Sequence, residues 1–215
     1  MTIHNKIQLF LDADDVLLRS SEAVINILNK RYEGLGATLS DVVSWNYTSI
    51  CPDMNAQKVL ELYESEEFWD TVVFDPKALG FLRDFADQIG IVVVSKGTKL
   101  NLLKKQEFLK KMLGDIPFEF IGLPLEVHET CFDKSCVNMQ IPTGLTIQVD
   151  DRTDCLVGTN ATLKILLKNH LERPWNKYKG GEPNLYIASG WEDVIDIIKF
   201  YLDNKDLLLE VSCNA

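Results

Sequence analysis

Short runs of consecutive apolar residues, rich in Val, Ile and Leu, alternate along this chain with longer stretches whose apolar positions recur every three or four residues. Strands that are apolar on both sides suit a sheet covered on both faces, so the pattern predicts an α/β fold: a parallel sheet flanked by helices. The predicted strands are Ile7–Leu11, Ile91–Val94, Phe118–Ile121, Leu145–Val149, Leu163–Leu167 and Leu185–Ala188. Helices carry their own punctuation. Asp75-Pro76 reads as an N-cap followed by proline at the first helical position, with Leu79, Leu82, Phe85, Ala86 and Ile89 on one face and Gly90 ending it. The next helix has Leu102, Leu103, Phe108, Leu109 and Met112 as its stripe, with Lys110, Lys111 and Gly114 at its end. A last helix starts near Ser189-Gly190-Trp191 and buries Val194, Ile197, Ile198 and Tyr201.

One interval breaks the alternation. About eighty residues separate the first two strands, several times what a simple crossover requires. Ala23, Val24, Ile27, Leu28 and Arg31 fall at helical spacing, Thr38-Leu39-Ser40-Asp41 resembles a capping box, and Val59, Leu60 and Tyr63 mark a further helix. The reading is a core made of residues 1–17 and 75–215, with residues 18–74 inserted as a small helical cap over the carboxyl edge of the sheet.

Composition narrows the function. An apolar share of 46% over 215 residues suffices for one sizeable core. A net charge of −10 argues against a nucleic-acid polymer or an anionic membrane as partner, but not against a small anionic substrate. Five cysteines (Cys51, Cys131, Cys136, Cys155, Cys213) are odd in number and irregularly spaced, and the start of the chain is polar. Reduced thiols and a cytoplasmic location follow as expectations. Neither the cysteines nor His4, His128 and His170 form a zinc-ligand pattern. No apolar run reaches the roughly 18 residues that span a bilayer.

The chemistry gathers at predicted strand ends. Ile7–Leu11 stops at Asp12, with Asp14 and Asp15 following, and Leu145–Val149 stops at Asp150-Asp151. Clustered carboxylates repel one another and call for a cation or a tuned proton. Between these ends come Ser95-Lys96-Gly97-Thr98 and then Lys134. Alone, Ser95 reads as a turn residue and Lys134 as a surface lysine. As an ordered set they answer the needs of phosphoryl transfer through a covalent aspartyl intermediate. Asp12 is the candidate nucleophile and Asp14 the candidate acid and base. Asp12 with Asp150 offers hard oxygens to Mg²⁺, while the Ser95 hydroxyl and Lys134 ammonium suit the phosphoryl oxygens. A phosphorylatable receiver domain uses similar groups, but its acidic pair comes early and its lysine last. There is no Gly-rich phosphate loop with the P-loop spacing.

The order Asp12-x-Asp14, Ser95, Lys134, Asp150-Asp151 resembles the four motifs of the haloacid dehalogenase (HAD) superfamily of phosphatases. Glu64–Trp69 followed by Pro76-x-Ala78, Asp133-Lys134, Val149–Arg152, Arg173-Pro174-Trp175-Asn176 and Ser189–Glu192 extend the likeness to the 5′(3′)-deoxyribonucleotidase family. The resemblance spans most of residues 7–202. It implies a Rossmann-like HAD fold with a helical cap, Mg²⁺ as cofactor, and hydrolysis of nucleoside monophosphates. By motif it makes Asp12, the backbone carbonyl of Asp14, and Asp150 the metal ligands, with Asp151 behind the metal's water shell. Asp15 stands where that family usually has Gly, and Ser95-Lys96-Gly97 replaces a Thr-Ser-Pro-like run.

For the base and sugar, the candidates are Phe68 and Trp69, which the family sets against the nucleoside, together with Trp45 and Lys96. Tyr47 lies beside them, and packing in the core of the cap is the plainer reading of each of these aromatics. Trp175 and Trp191 read as packing residues. The expected partner is a small phosphomonoester, with a homodimer left open. The alternatives are a phosphatase for another small ester such as a sugar phosphate, or a non-enzymatic binding or regulatory protein on the same fold.

Overall fold

The computed structural model describes residues 7–125, 132–141 and 144–204. His4, His128, Cys131 and Cys213 lie outside them. Six strands, β1 (Ile7–Leu11), β2 (Gly90–Gly97), β3 (Glu119–Pro124), β4 (Leu145–Asp150), β5 (Leu163–Leu167) and β6 (Leu185–Ala188), form one sheet in the order β3-β2-β1-β4-β5-β6. Every pairing is parallel. Three strands match their sequence-predicted limits; β2 and β3 run further toward their carboxyl ends, because Ser95, Lys96 and Gly97 stay paired with Gly122, Leu123 and Pro124.

Side-chain alternation explains how the sheet is covered. Leu9, Leu11, Ile91, Val93, Ile147 and Val149 point into the main core, whereas Phe10, Val92 and Val94 point to the other face and meet Val137 and Met139. Both faces are therefore buried, which requires the apolar runs seen in the sequence.

The helices are α1 (Ser20–Arg31), α2 (Ala56–Tyr63), α3 (Glu66–Thr71), α4 (Pro76–Phe85), α5 (Lys99–Leu113), α6 (Thr153–Leu156) and α7 (Trp191–Asp203). The first three, with a 3-10 turn at Leu39–Asp41 closed by the Thr38–Asp41 capping box, fill the interval between β1 and β2. Asp75 caps α4 as its sequence predicts, accepting hydrogen bonds from the amides of Lys77 (2.9 Å) and Ala78 (3.2 Å). That helix ends at Phe85, earlier than its apolar pattern suggests: Gly90 is already paired with Gln8, so residues 86–89 must form the turn into β2.

The stripe of α5 also differs from expectation. Asn101, Lys105, Leu109 and Leu113 are buried, whereas Leu103 is half exposed. Steps of four residues put those positions on one side, and that side carries a lysine.

β1 lies at the centre, and the chain turns outward from it in both directions. From β2 it continues to β3 on one flank; after β3 it crosses to β4 on the other. The carboxyl ends of β1 and β4 therefore border the crevice where open α/β sheets bind their ligands.

Candidate active site

Register brings the candidate residues to one edge. Leu11 is level with Val93 on β2 and with Val149 on β4. Asp12, Ser95 and Asp150 thus lie one or two residues beyond a common line, and the Asp12 amide donates to the Val149 carbonyl at 3.0 Å. Lys134, from the connection between β3 and β4, spans the gap. Its ammonium donates to Asp12 Oδ1 and Asp150 Oδ2, each at 2.6 Å. Ser95 and Asp150 are wholly buried, and Asp12, Lys134 and Asp151 nearly so.

Burial governs the electrostatics. It raises Asp12 from its ordinary 3.8 to about 6; Lys134 pulls the other way, and Asp150 and Asp14 push further up. Asp151 is driven well above the usual carboxylate range by burial, then by Asp15, Asp150 and Asp12. Burial works against the Lys134 ammonium, but Asp12 and Asp150 hold its pKa well above the ordinary lysine value. Asp12, Asp150 and Asp151 each present a carboxylate oxygen within 4.8 Å of the others. Three buried carboxylates gathered within reach of one another, offering only hard oxygen atoms, fit a divalent cation such as Mg²⁺.

Asp15 also has structural work. Its φ of +54° lies in the left-handed region, where Gly is the easier residue. The conformation lets its carboxylate accept from the Ser21 amide at 2.8 Å and from Arg173 at 3.0 Å, besides the Ser21 hydroxyl. Arg173 also donates to Ser21 Oγ at 3.0 Å, and the Tyr47 hydroxyl donates to the same oxygen at 3.1 Å. The first loop, α1 and the Arg173 segment are tied together through this acid.

A cleft opens beside the carboxylates. Trp45, Tyr47 and Tyr63 line it from the interval between β1 and β2, and Phe132, Arg152 and Trp175 from the core side. Lys96 and Gly97 complete its rim, and a Cβ at Gly97 would meet Asn101 Oδ1, so a larger residue there requires that side chain to move. Arg152 lies over the Phe132 ring at 4.0 Å, and the Trp175 indole donates to Asp151 Oδ2 at 2.9 Å.

Of the residues expected to meet a base or sugar, Trp45 and Lys96 border this cleft and Phe68 and Trp69 do not. Phe68 is fully buried, edge-on between Tyr63 (4.7 Å) and Trp69 (5.1 Å). Trp69 packs against Phe108 of α5, and its indole donates to the Tyr63 carbonyl at 2.9 Å. Both rings sit on the apolar side of short α3, where packing claims them. Trp175 packs against the core as expected and also borders the cleft.

The sequence reading missed Lys105. It is completely buried, and its ammonium donates to Asp14 Oδ2 at 2.6 Å, to Ser95 Oγ at 2.8 Å and to the Lys96 carbonyl at 3.5 Å. Its signal was the four-residue spacing Asn101-Lys105-Leu109-Leu113, hidden by neighbouring Lys104.

The fold has close parallels among solved structures. A haloacid dehalogenase-like family protein of Streptococcus pneumoniae superposes with a TM-score of 0.53 at 15% identity, covering 89% of this chain and 97% of the other. A haloacid dehalogenase-like family hydrolase of Xanthomonas campestris gives 0.52 at 13% identity over 94% and 97%. The chain has a HAD-like α/β fold. At such identities the likeness covers the HAD-like architecture and not the substrate. No protein-family model and no curated protein matches the chain. Among the described residues, no helix is long and apolar enough to cross a membrane.

Proposed function

We propose that this HAD-like chain is a Mg²⁺-dependent phosphomonoester hydrolase working through an aspartyl phosphate on Asp12, with nucleoside monophosphates as its substrates. The observation that carries this reading is the convergence of Asp12, Asp14, Ser95, Lys134 and Asp150, far apart in the chain, on one sheet edge beside an aromatic cleft.

The steps follow from the groups present. An Asp12 carboxylate oxygen attacks phosphorus, forming the O–P bond as the ester O–P bond breaks, and Asp14 gives its proton to the departing oxygen. Asp14 then takes a proton from water, which attacks phosphorus, releases inorganic phosphate and restores Asp12. Ser95 and Lys134 donate to the phosphoryl oxygens throughout. Asp12, Asp150 and the Asp14 carbonyl would hold Mg²⁺, with Asp151 nearby, and the ion would offset the charge gathered at the phosphoryl group. Residues 18–74 act in this reading as a cap that supplies Trp45, Tyr47 and Tyr63 to the leaving group. Flat rings lining the cleft favour a nucleobase over a sugar, since stacking on an aromatic ring is worth roughly 1–3 kcal/mol per base.

Phosphate release with Mg²⁺ should be measured across 5′- and 3′-(deoxy)nucleotides, sugar phosphates and an aryl phosphate. Nucleotides should be turned over with the highest kcat/KM, and Asp12→Asn should abolish release while remaining folded. Faster turnover of sugar phosphates overturns the substrate assignment. Wild-type-like release by Asp12→Asn overturns the mechanism.

A further inference from the structure

Beyond the groups assigned to the reaction, a second buried lysine stands in this site. We propose that Lys105 is a positioning residue that holds Asp14 and Ser95 in register for proton delivery to the leaving group, an inference that rests on the phosphatase reading above.

The geometry is a tripod. A lysine ammonium has three N–H donors and no acceptor, and Lys105 directs them to Asp14 Oδ2, Ser95 Oγ and the Lys96 carbonyl. A wholly buried ammonium is costly unless each donor finds such a partner. The position is therefore fixed, because no water competes for it and α5 anchors its stem between Asn101 and Leu109.

Two consequences follow. Ser95 accepts from Lys105, so its own O–H hydrogen is left to point to a different acceptor. Asp14 has one oxygen against Lys105 and the other accepting from Ser20 Oγ at 2.7 Å. Its carboxyl plane is pinned from both sides, one donor coming from α5 and the other from the first residue of α1. The two buried lysines thus divide the site: Lys134 bridges the nucleophile to Asp150, and Lys105 bridges the proton-transfer residue to the phosphate-binding hydroxyl.

The test compares the full-length wild type, Lys105→Met, Asp14→Asn and the double variant, each on an alkyl and an aryl phosphate. An aryl oxide leaves with little help from a proton, whereas an alkoxide needs one. Lys105→Met should lower kcat/KM, which reports the phosphorylation step alone, on the alkyl ester by about 10- to 100-fold, below the full contribution of a general acid. On the aryl ester the loss in kcat/KM should stay under about threefold, because departure of an aryl oxide asks little of Asp14 and its later role as base does not enter kcat/KM. In the Asp14→Asn background the same substitution should cost little on either ester. The double variant also replaces both partners of the ion pair by neutral groups, so it keeps the comparison in hand if Lys105→Met alone does not fold.

Equal losses on both esters and in both backgrounds overturn the proposal, since they mark a merely structural lysine. Absence of phosphate release by the wild type on every ester removes the phosphatase reading and this inference with it. Wild-type activity that Asp12→Asn abolishes, combined with equal losses for Lys105→Met, removes the inference alone.

Discussion

Replacing the candidate nucleophile should make the metal-free protein more stable while destroying its activity. Asp12 is raised from 3.8 to about 6 in the folded chain, chiefly by burial. A carboxyl whose folded pKa lies above its unfolded one keeps its proton longer in the fold, so stability is greatest below about pH 4. It falls as pH rises from about 4 to about 6 and is flat beyond. The gap corresponds to about 3 kcal/mol carried by the ionised carboxylate at pH 7.5. Asn has the shape of the protonated acid without its ionisation, so Asp12→Asn should recover most of this. The difference should be about 3 kcal/mol at pH 7.5, roughly half as large at pH 5 and close to nothing at pH 4. For a chain of this size that is about 6–12 °C in melting temperature at pH 7.5. The assay is thermal or urea unfolding of both proteins in a chelator at the three pH values, repeated with Mg²⁺. Added Mg²⁺ should raise the wild type at pH 7.5 and close the gap, because the cation neutralises the same carboxylate. An Asp12→Asn variant less stable than wild type in chelator at pH 7.5, or a gap that does not narrow toward pH 4, refutes the reasoning.

Three further outcomes are expected. Asp15→Gly relieves a left-handed residue, worth about 1–2 kcal/mol, but leaves buried Arg173 without its carboxylate, which costs about 3–5 kcal/mol; net destabilisation by urea unfolding is the expected sign. Phe68→Ala should cost about 3–5 kcal/mol of stability through the cavity it leaves, and the variant, measured where it remains folded, should keep the wild-type KM. Trp45→Ala should do the reverse, raising KM for nucleotides several-fold with little change in melting temperature, as the ring borders the cleft.

Much of the fold is legible in the apolar pattern because a parallel sheet buried on both faces leaves no alternative placement for runs such as Ile91–Val94 or Leu163–Leu167. Caps are equally local: Asp75-Pro76 and Thr38-x-x-Asp41 act on amides within a few residues of themselves. The strand-end acids were visible for the same reason, since a charge that ends an apolar run falls at the sheet's edge.

Other features depend on partners distant in sequence. Lys105 looks like one of several helix lysines until α5 packs against β2 and turns it toward Ser95 and Asp14. Phe68 and Trp175 have similar chemistry on paper. Packing buries the first between Tyr63 and Trp69 and leaves the second on the cleft, hydrogen-bonded to Asp151. Asp15 in its left-handed backbone is held by Arg173, which is remote along the chain and donates to its carboxylate. The sequence by itself determined the strands, their caps and the acids at their ends, because these follow from periodicity and neighbouring groups. Only the tertiary structure decided which lysine is buried, which aromatic rings face the cleft and what relieves each carboxylate, because burial and pairing are set by residues that meet only when the sheet and helices have packed.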